Sequence, residues 1–80
     1  MHHAYVIFDN DAPLSVVAEG GEKRADIALK FYKDQLRADL RQHVAGNKRE
    51  EQYTQQDMAR LEELIQPHYI HYHLVPVFSN

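Results

Sequence analysis

The sequence comprises 80 residues without cysteine, of which 44% are hydrophobic and 26% are charged, and its net charge is −3. These values describe one small globular domain, residues 1–80, and they exclude collagen-like, mucin-like and acidic disordered chains. They also exclude disulfides and thiolate chemistry. Because neither a membrane-spanning apolar run nor a secretory signal is recognisable, we expect a cytoplasmic protein that contacts no membrane.

The first predicted element is a β-hairpin. Residues 4–8 form a short run of β-branched and aromatic side chains, turn-forming residues occupy positions 9–13, and an extended pattern resumes over residues 14–18. Gly20 and Gly21 then break the second strand and allow the chain to redirect.

Two helices are predicted next. From Glu22 to about residue 45, apolar side chains recur at helical spacing, and they are Ala25, Leu29, Tyr32, Leu36 and Leu40. Gly46 and Asn47 stop this helix, and residues 47–52 predict a loop. Thr54 and Asp57 have the spacing of a capping box. In the predicted second helix, the residues that face inward are Met58, Leu61, Leu64 and Ile65. Pro67 ends this helix.

The tail, residues 68–78, alternates like a strand. One face carries Ile70, Tyr72, Leu74 and Phe78, and the other carries Tyr69, His71, His73, Val75 and Val77. Pro76 places this strand at an edge of the sheet. We therefore predict an α+β fold of topology β-β-α-α-β, with a three-stranded sheet of order 2-1-3 and two helices packed on one face.

The predicted first helix is longer than the strands. At 1.5 Å per residue it overhangs the sheet by about 10 Å. The overhang carries Leu40 and Val44, which either the second helix or a second chain must cover. A homodimer is therefore one predicted arrangement that would cover Leu40 and Val44.

The charge is distributed unevenly along the chain. Residues 23–49 hold eight of the nine basic side chains against three acidic ones, so that segment carries +5 and the remainder carries −8. Five of these cations form a stripe on the outer side of the first helix, namely Lys23, Lys30, Lys33, Arg37 and Arg41. The stripe is suited to an acidic protein or a phosphate backbone, or it is a solvated face diluted by Asp26 and Asp34.

Ile27 and Phe31 lie beside this stripe, away from the main apolar arc. An aromatic residue next to Arg and Lys on an exposed face is typical of an interaction hot spot, although Phe31 also fits a position at the side of the core.

The histidines suggest two further functions. His71 and His73 share one face of a strand and are candidate ligands for zinc or copper, with His2 or His3 as a neighbour. Polar residues on the solvated side of an edge strand are the simpler explanation of the same pattern. Alternatively, Tyr5, Tyr69, His71 and His73 form a stacking platform for unpaired bases on the open face of the sheet. With six histidines in all, we expect association to change near pH 6.

The order of elements resembles that of small, uncharacterised phage and prophage proteins. Residues 4–17 (AYVIFDNDAPLSVV) and residues 69–77 (YIHYHLVPV) flank the helical part, and this family combines a short hairpin, an amphipathic helix and a final strand with a Val-Pro-like pair. The resemblance covers nearly the whole chain and implies an accessory protein that binds and modulates a host protein. The long first helix and the charged segment 47–52 depart from the pattern.

These observations predict a protein-protein interaction module without catalytic residues, cofactor or resident metal. Its partner would be a host protein or a second copy of the chain. The predicted contact surface consists of Ile27, Lys30, Phe31, Lys33, Arg37 and Arg41. The alternatives are a nucleic-acid-binding dimer that uses the basic face of the first helix, and a metal-binding protein that uses His71 and His73.

Overall fold

The computed structural model describes residues 2–77 as one α+β domain. The elements are β1 (His2–Asp9), β2 (Ala12–Val17), α1 (Gly21–Ala45), a 3-10 turn (Glu50–Gln52), α2 (Gln55–Ile65) and β3 (Ile70–Val77). The three strands form an antiparallel sheet in the order β2-β1-β3. The predicted fold class, element order and strand order are therefore confirmed; Phe78 lies outside the described residues.

The hairpin is tighter than predicted. Only Asn10 and Asp11 separate the strands, and Asn10 takes a positive φ of 53°, which asparagine tolerates better than most residues. β2 consequently begins at Ala12 and contains Pro13, whose missing N–H is acceptable because β2 is an edge strand. The register slips between Ile7 and Phe8, so β2 carries a bulge next to Pro13.

Helix α1 is continuous and crosses one face of the sheet with its first half. Gly20 has a φ of 90°, and a Cβ there would lie 2.7 Å from the Cβ of Arg24, so only glycine fits the entry to the helix. Ala25 is fully buried against the strands. The predicted inward positions that follow are half-buried, and they are Leu29, Tyr32, Leu36 and Leu40.

Helix α2 makes its main contacts with α1, on the half that extends past the sheet. The predicted capping box is present: the Thr54 hydroxyl accepts from the backbone N–H of Asp57, and the Asp57 carboxylate accepts from that of Thr54. Leu61 is fully buried, while Leu40 and Val44 on α1 are half-buried. Helix α2 thus covers much of the part of α1 that extends past the sheet. This was one of the two arrangements predicted for that part of the helix.

The molecule is elongated, with Cα extents of 52 × 21 × 16 Å and a radius of gyration of 15.8 Å. A compact domain of this length has a radius of gyration of about 12 Å. The buried apolar side chains are correspondingly few among the described residues, and they are Ala4, Val6, Ile7, Ala25, Leu61 and Ile70. A small chain with so thin a core has little stability to spare.

A cluster of hydrogen bonds fastens the hairpin turn to the start of β3. The Asp9 carboxylate lies 2.6 Å from Nδ1 of His68 and accepts from the backbone N–H of Tyr69 at 3.1 Å. Asn10 donates from its side chain to the Pro67 carbonyl and from its backbone to the Tyr69 carbonyl, each at 2.8 Å. These bonds hold the end of β1 against a segment about 60 residues away in the chain.

The hydrogen bond from His68, aided by that of Tyr69, holds the pKa of the Asp9 carboxyl below its usual value. The folded state therefore keeps the Asp9 carboxylate ionised at a pH where the same group takes up a proton in the unfolded chain. The contribution of Asp9 to the free energy of unfolding is consequently lost as the pH falls. We expect Asp9→Asn to lower the free energy of unfolding at pH 7 by about 1–2 kcal/mol, because two charge-assisted hydrogen bonds weaken.

Urea unfolding at pH 7 and below about pH 4, where an unperturbed aspartate titrates, measures this difference. Asp11→Asn, the same charge change in the exposed turn, serves as the control. The difference between the Asp9 variant and the parent should shrink at low pH, and an equal loss at both pH values would contradict the assignment.

Candidate functional site

The face of the sheet opposite α1 carries a cluster of four rings. Cross-strand pairing brings Phe8 against His71, with ring centroids 5.5 Å apart and nearly parallel planes. Tyr69 stacks on His71 at 4.5 Å, and His73 meets His71 edge-on at 4.8 Å. In the part of the chain that the structure describes, no helix covers this face, which we call the open face.

The prediction that Tyr5 belongs to this cluster is wrong. Tyr5 pairs with Leu74, so its side chain lies on the face that α1 crosses, where its ring meets that of Tyr72 edge-on at 5.4 Å. Phe8 supplies the fourth ring instead. The open face therefore keeps Tyr69, His71 and His73 but carries no Lys or Arg on its strands, so its rings lack neighbouring cations for phosphate contacts.

The two histidines proposed as metal ligands are adjacent, and His71 is hydrogen-bonded within the fold. Nε2 of His71 donates to the backbone carbonyl of Asn10 at 2.7 Å, and its Nδ1 is buried without a hydrogen-bond partner. His73 is exposed. Among residues 2–77, no three side chains of His, Asp or Glu come together in an arrangement able to hold a metal ion.

The predicted basic stripe is interrupted by a carboxylate. Glu50, in the 3-10 turn, accepts from both Nε and Nη2 of Arg37 and lies 3.4 Å from Nη1 of Arg41. Both arginines are half-buried, and the hydrogen bond from Arg37 holds the pKa of the Glu50 carboxyl below its usual value. The guanidinium groups thus fasten the turn to α1.

The lysines of the stripe remain at the surface. Lys30 binds Asp34 at 2.9 Å, one turn along the helix, whereas Lys23 and Lys33 are exposed. Asp26 takes no part in the stripe, because its carboxylate accepts from the hydroxyl of Tyr72 at 2.7 Å. Of the six predicted contact residues, only Ile27, Phe31, Lys30 and Lys33 are therefore largely accessible.

Ile27 and Phe31 line an open groove between α1 and the edge strand β2. Their side chains are 55% and 60% exposed, and they lie one helical turn apart. The groove has a volume of about 560 Å³. Its lining is mainly apolar on both sides, with Val17, Ala18, Ala28 and Tyr32 among the residues that face it. Glu19 and Arg24 also line the groove.

The opposite flank of α1, which faces β3, has a different chemistry. The hydroxyl of Tyr72 lies between the carboxylates of Asp26 and Glu22, at 2.7 and 3.3 Å. The hydrogen bond that Tyr72 donates to Asp26 raises the pKa of Tyr72, because ionising the phenol would break that bond and would also place a third negative charge beside the two carboxylates. The flank beside β2 is therefore apolar, whereas the first two turns of the flank beside β3 carry two carboxylates.

The positions of Phe8 and Glu50 and the pairing of Asp26 with Tyr72 were not predicted from the sequence. Phe8 and His71 lie on the same face of the sheet because of the register between β1 and β3. No local sequence pattern indicates that register. Glu50 offered a weak signal, because it is an acidic side chain in a connection that must return beside the basic end of α1.

Releasing the two arginines should expose the basic stripe. We expect Glu50→Gln to steepen the salt dependence of non-specific DNA binding, with the log–log slope increasing by about 1–2 because each newly available cation adds about 0.9. Fluorescence anisotropy with a labelled duplex in a salt series measures the slope. Glu51→Gln is the matched control, since it makes the same charge change at an exposed neighbouring position. Equal slopes for the two variants would show that Glu50 does not mask the arginines.

Within residues 2–77, no helix combines the length and apolarity needed to cross a membrane. Comparison of the chain with protein-family models, curated proteins and solved structures gives no match. The functional assignment therefore depends on the geometry of the surfaces described above.

Proposed function

We propose that this protein is a non-enzymatic protein-protein interaction module that binds its partner in the groove between β2 and α1. The observation that carries the proposal is the exposure of Ile27 and Phe31, each more than half accessible, directly beside an edge strand. Adjacent exposed apolar side chains in a concave site are typical of surfaces that bind another protein.

The groove has the form of an unoccupied strand position. β2 is an edge strand with no charged residue between Ala12 and Val17, so it lacks the lysines that commonly block edges. Its residues on the α1 side include Ser15 and Val17, which are small enough to leave space beneath Ile27 and Phe31. A partner strand added to β2 would bring its own side chains under the helix.

The charges near the groove favour a protein over a nucleic acid. Two of the five cations of the stripe are engaged by Glu50, and Lys30 is paired with Asp34. The apolar lining offers no phosphate site, whereas protein partners bury apolar side chains readily. Binding alone would be the mechanism, in which the module occludes or recruits its partner without a chemical step. Its resemblance to phage-type proteins suggests host proteins as one class of partner.

Photo-crosslinking tests this assignment. The full chain carries p-benzoylphenylalanine in place of Phe31, or in place of Tyr69 as a control, because Tyr69 is an aromatic residue of similar exposure, 64%, on the open face. After irradiation in a lysate of the source cells, we expect protein adducts from position 31 and few from position 69. Absence of adducts from position 31, or equal yields from both positions, would contradict the proposed site.

A further inference from the structure

We infer that a pocket on the flank of α1 beside β3 binds a small organic monoanion, a carboxylate that carries an apolar group. The pocket has a volume of about 310 Å³ and is separate from the groove beside β2. This volume lies at the lower end of the range for small-molecule sites, so the ligand is small. Three segments enclose it, namely residues 33–37 of α1, the end of α2 at Ile65, and residues 68–70 at the start of β3.

The inner part of the pocket is apolar. Ile70 is buried, and Leu36 and Ile65 are half-buried. Polar groups lie nearer the surface, where Lys33 and Asp34 are exposed. A ligand with an apolar group would place that group inward, because contact with these side chains removes apolar surface from water. The polar end of the ligand would remain at the rim.

The charges that line the pocket favour an anion at the rim. Asp34 is already bound by Lys30 at 2.9 Å. Arg37 binds Glu50 through Nε and Nη2, a contact that leaves Nη1 of the guanidinium for another acceptor. Lys33 has no ion-pair partner within residues 2–77. A carboxylate at the rim would supply this partner and form a charge-assisted hydrogen bond with the ammonium group.

His68 forms a wall of the pocket that is already fixed in position. Its Nδ1 lies 2.6 Å from the carboxylate of Asp9, a contact that leaves Nε2 for a ligand. The backbone N–H of His68 donates to the carbonyl of Ile65 at 2.9 Å, so the segment that joins α2 to β3 is held at both its backbone and its side chain. Binding therefore requires little ordering of the wall, which favours the affinity for a small ligand.

A multiply charged anion such as phosphate fits the pocket less well. The helix end that reaches the pocket is the C-terminus of α2 at Ile65, where the helix dipole is negative. Phosphate sites use helix N-termini and several backbone N–H groups instead. Lys33 alone balances one negative charge. The carboxylate of Asp26 is on the same flank but seven residues earlier, about 10 Å along the helix, so salt screens most of its repulsion.

Titration of the full chain with phenylbutyrate at neutral pH, followed by heteronuclear NMR, tests the inference. We expect saturable shifts in the backbone amide signals of the segments that enclose the pocket, with a dissociation constant of about 1 mM or lower. Phenylbutanamide should bind at least about 10-fold more weakly, because it lacks the negative charge. Acetate should be weakened at least about as much, because it lacks the apolar group. Equal binding of the acid and its amide would overturn the inference.

Substitution of the lysine tests the role of the cation. Lys33→Gln should weaken the binding of phenylbutyrate about 10-fold, and it should preserve the fold because the side chain is exposed. Lys23→Gln is the matched control, since Lys23 is an exposed lysine of α1 outside the pocket, and it should leave the dissociation constant unchanged.

Three results would overturn the inference. They are the absence of saturable shifts in the enclosing segments up to about 10 mM phenylbutyrate, equal affinities of the two lysine variants, and tighter binding of inorganic phosphate than of phenylbutyrate. None of them bears on the proposed function, because crosslinking from position 31 reports on the groove at the other flank of α1.

Discussion

The length of α1 is the constraint from which the rest of the molecule follows. Its 25 residues extend about 37 Å at 1.5 Å per residue, whereas an eight-residue strand extends about 26 Å. The sheet alone therefore cannot cover the whole of α1. The chain doubles back, and α2 packs on the free half of that helix. The result is a long, two-layered molecule in which α1 packs against both the sheet and α2.

The architecture was predictable because it depends on local chemistry. Helical spacing from Ala25 to Leu40, the capping box at Thr54 and the alternation of β3 each specify an element within a few residues of chain, and few topologies are compatible with their order. The hairpin turn was predicted too long because Pro13 suggested a loop, whereas an edge strand accommodates proline.

The composition of the surfaces was less predictable, because it depends on contacts between distant parts of the chain. A shift of one residue in register moves every side chain of a strand to the opposite face of the sheet. The register between β1 and β3 places Tyr5 on the face that α1 crosses and Phe8 on the open face. Likewise, the local surplus of cations in residues 23–49 gave no indication that Glu50 would neutralise Arg37 and Arg41. Helical periodicity correctly set Ile27 and Phe31 apart from the core, but the groove beside them exists only because β2 ends the sheet there.

The unlike flanks of α1 also bear on the solubility of the protein. A sheet with two unprotected margins can add chains indefinitely and grow into a filament. Here the carboxylates of Glu22 and Asp26, tied to the phenol of Tyr72, give the β3 margin a negative charge that every copy shares. Repulsion between these like charges opposes the pairing of two β3 strands, so one of the possible edge-to-edge contacts between copies is disfavoured.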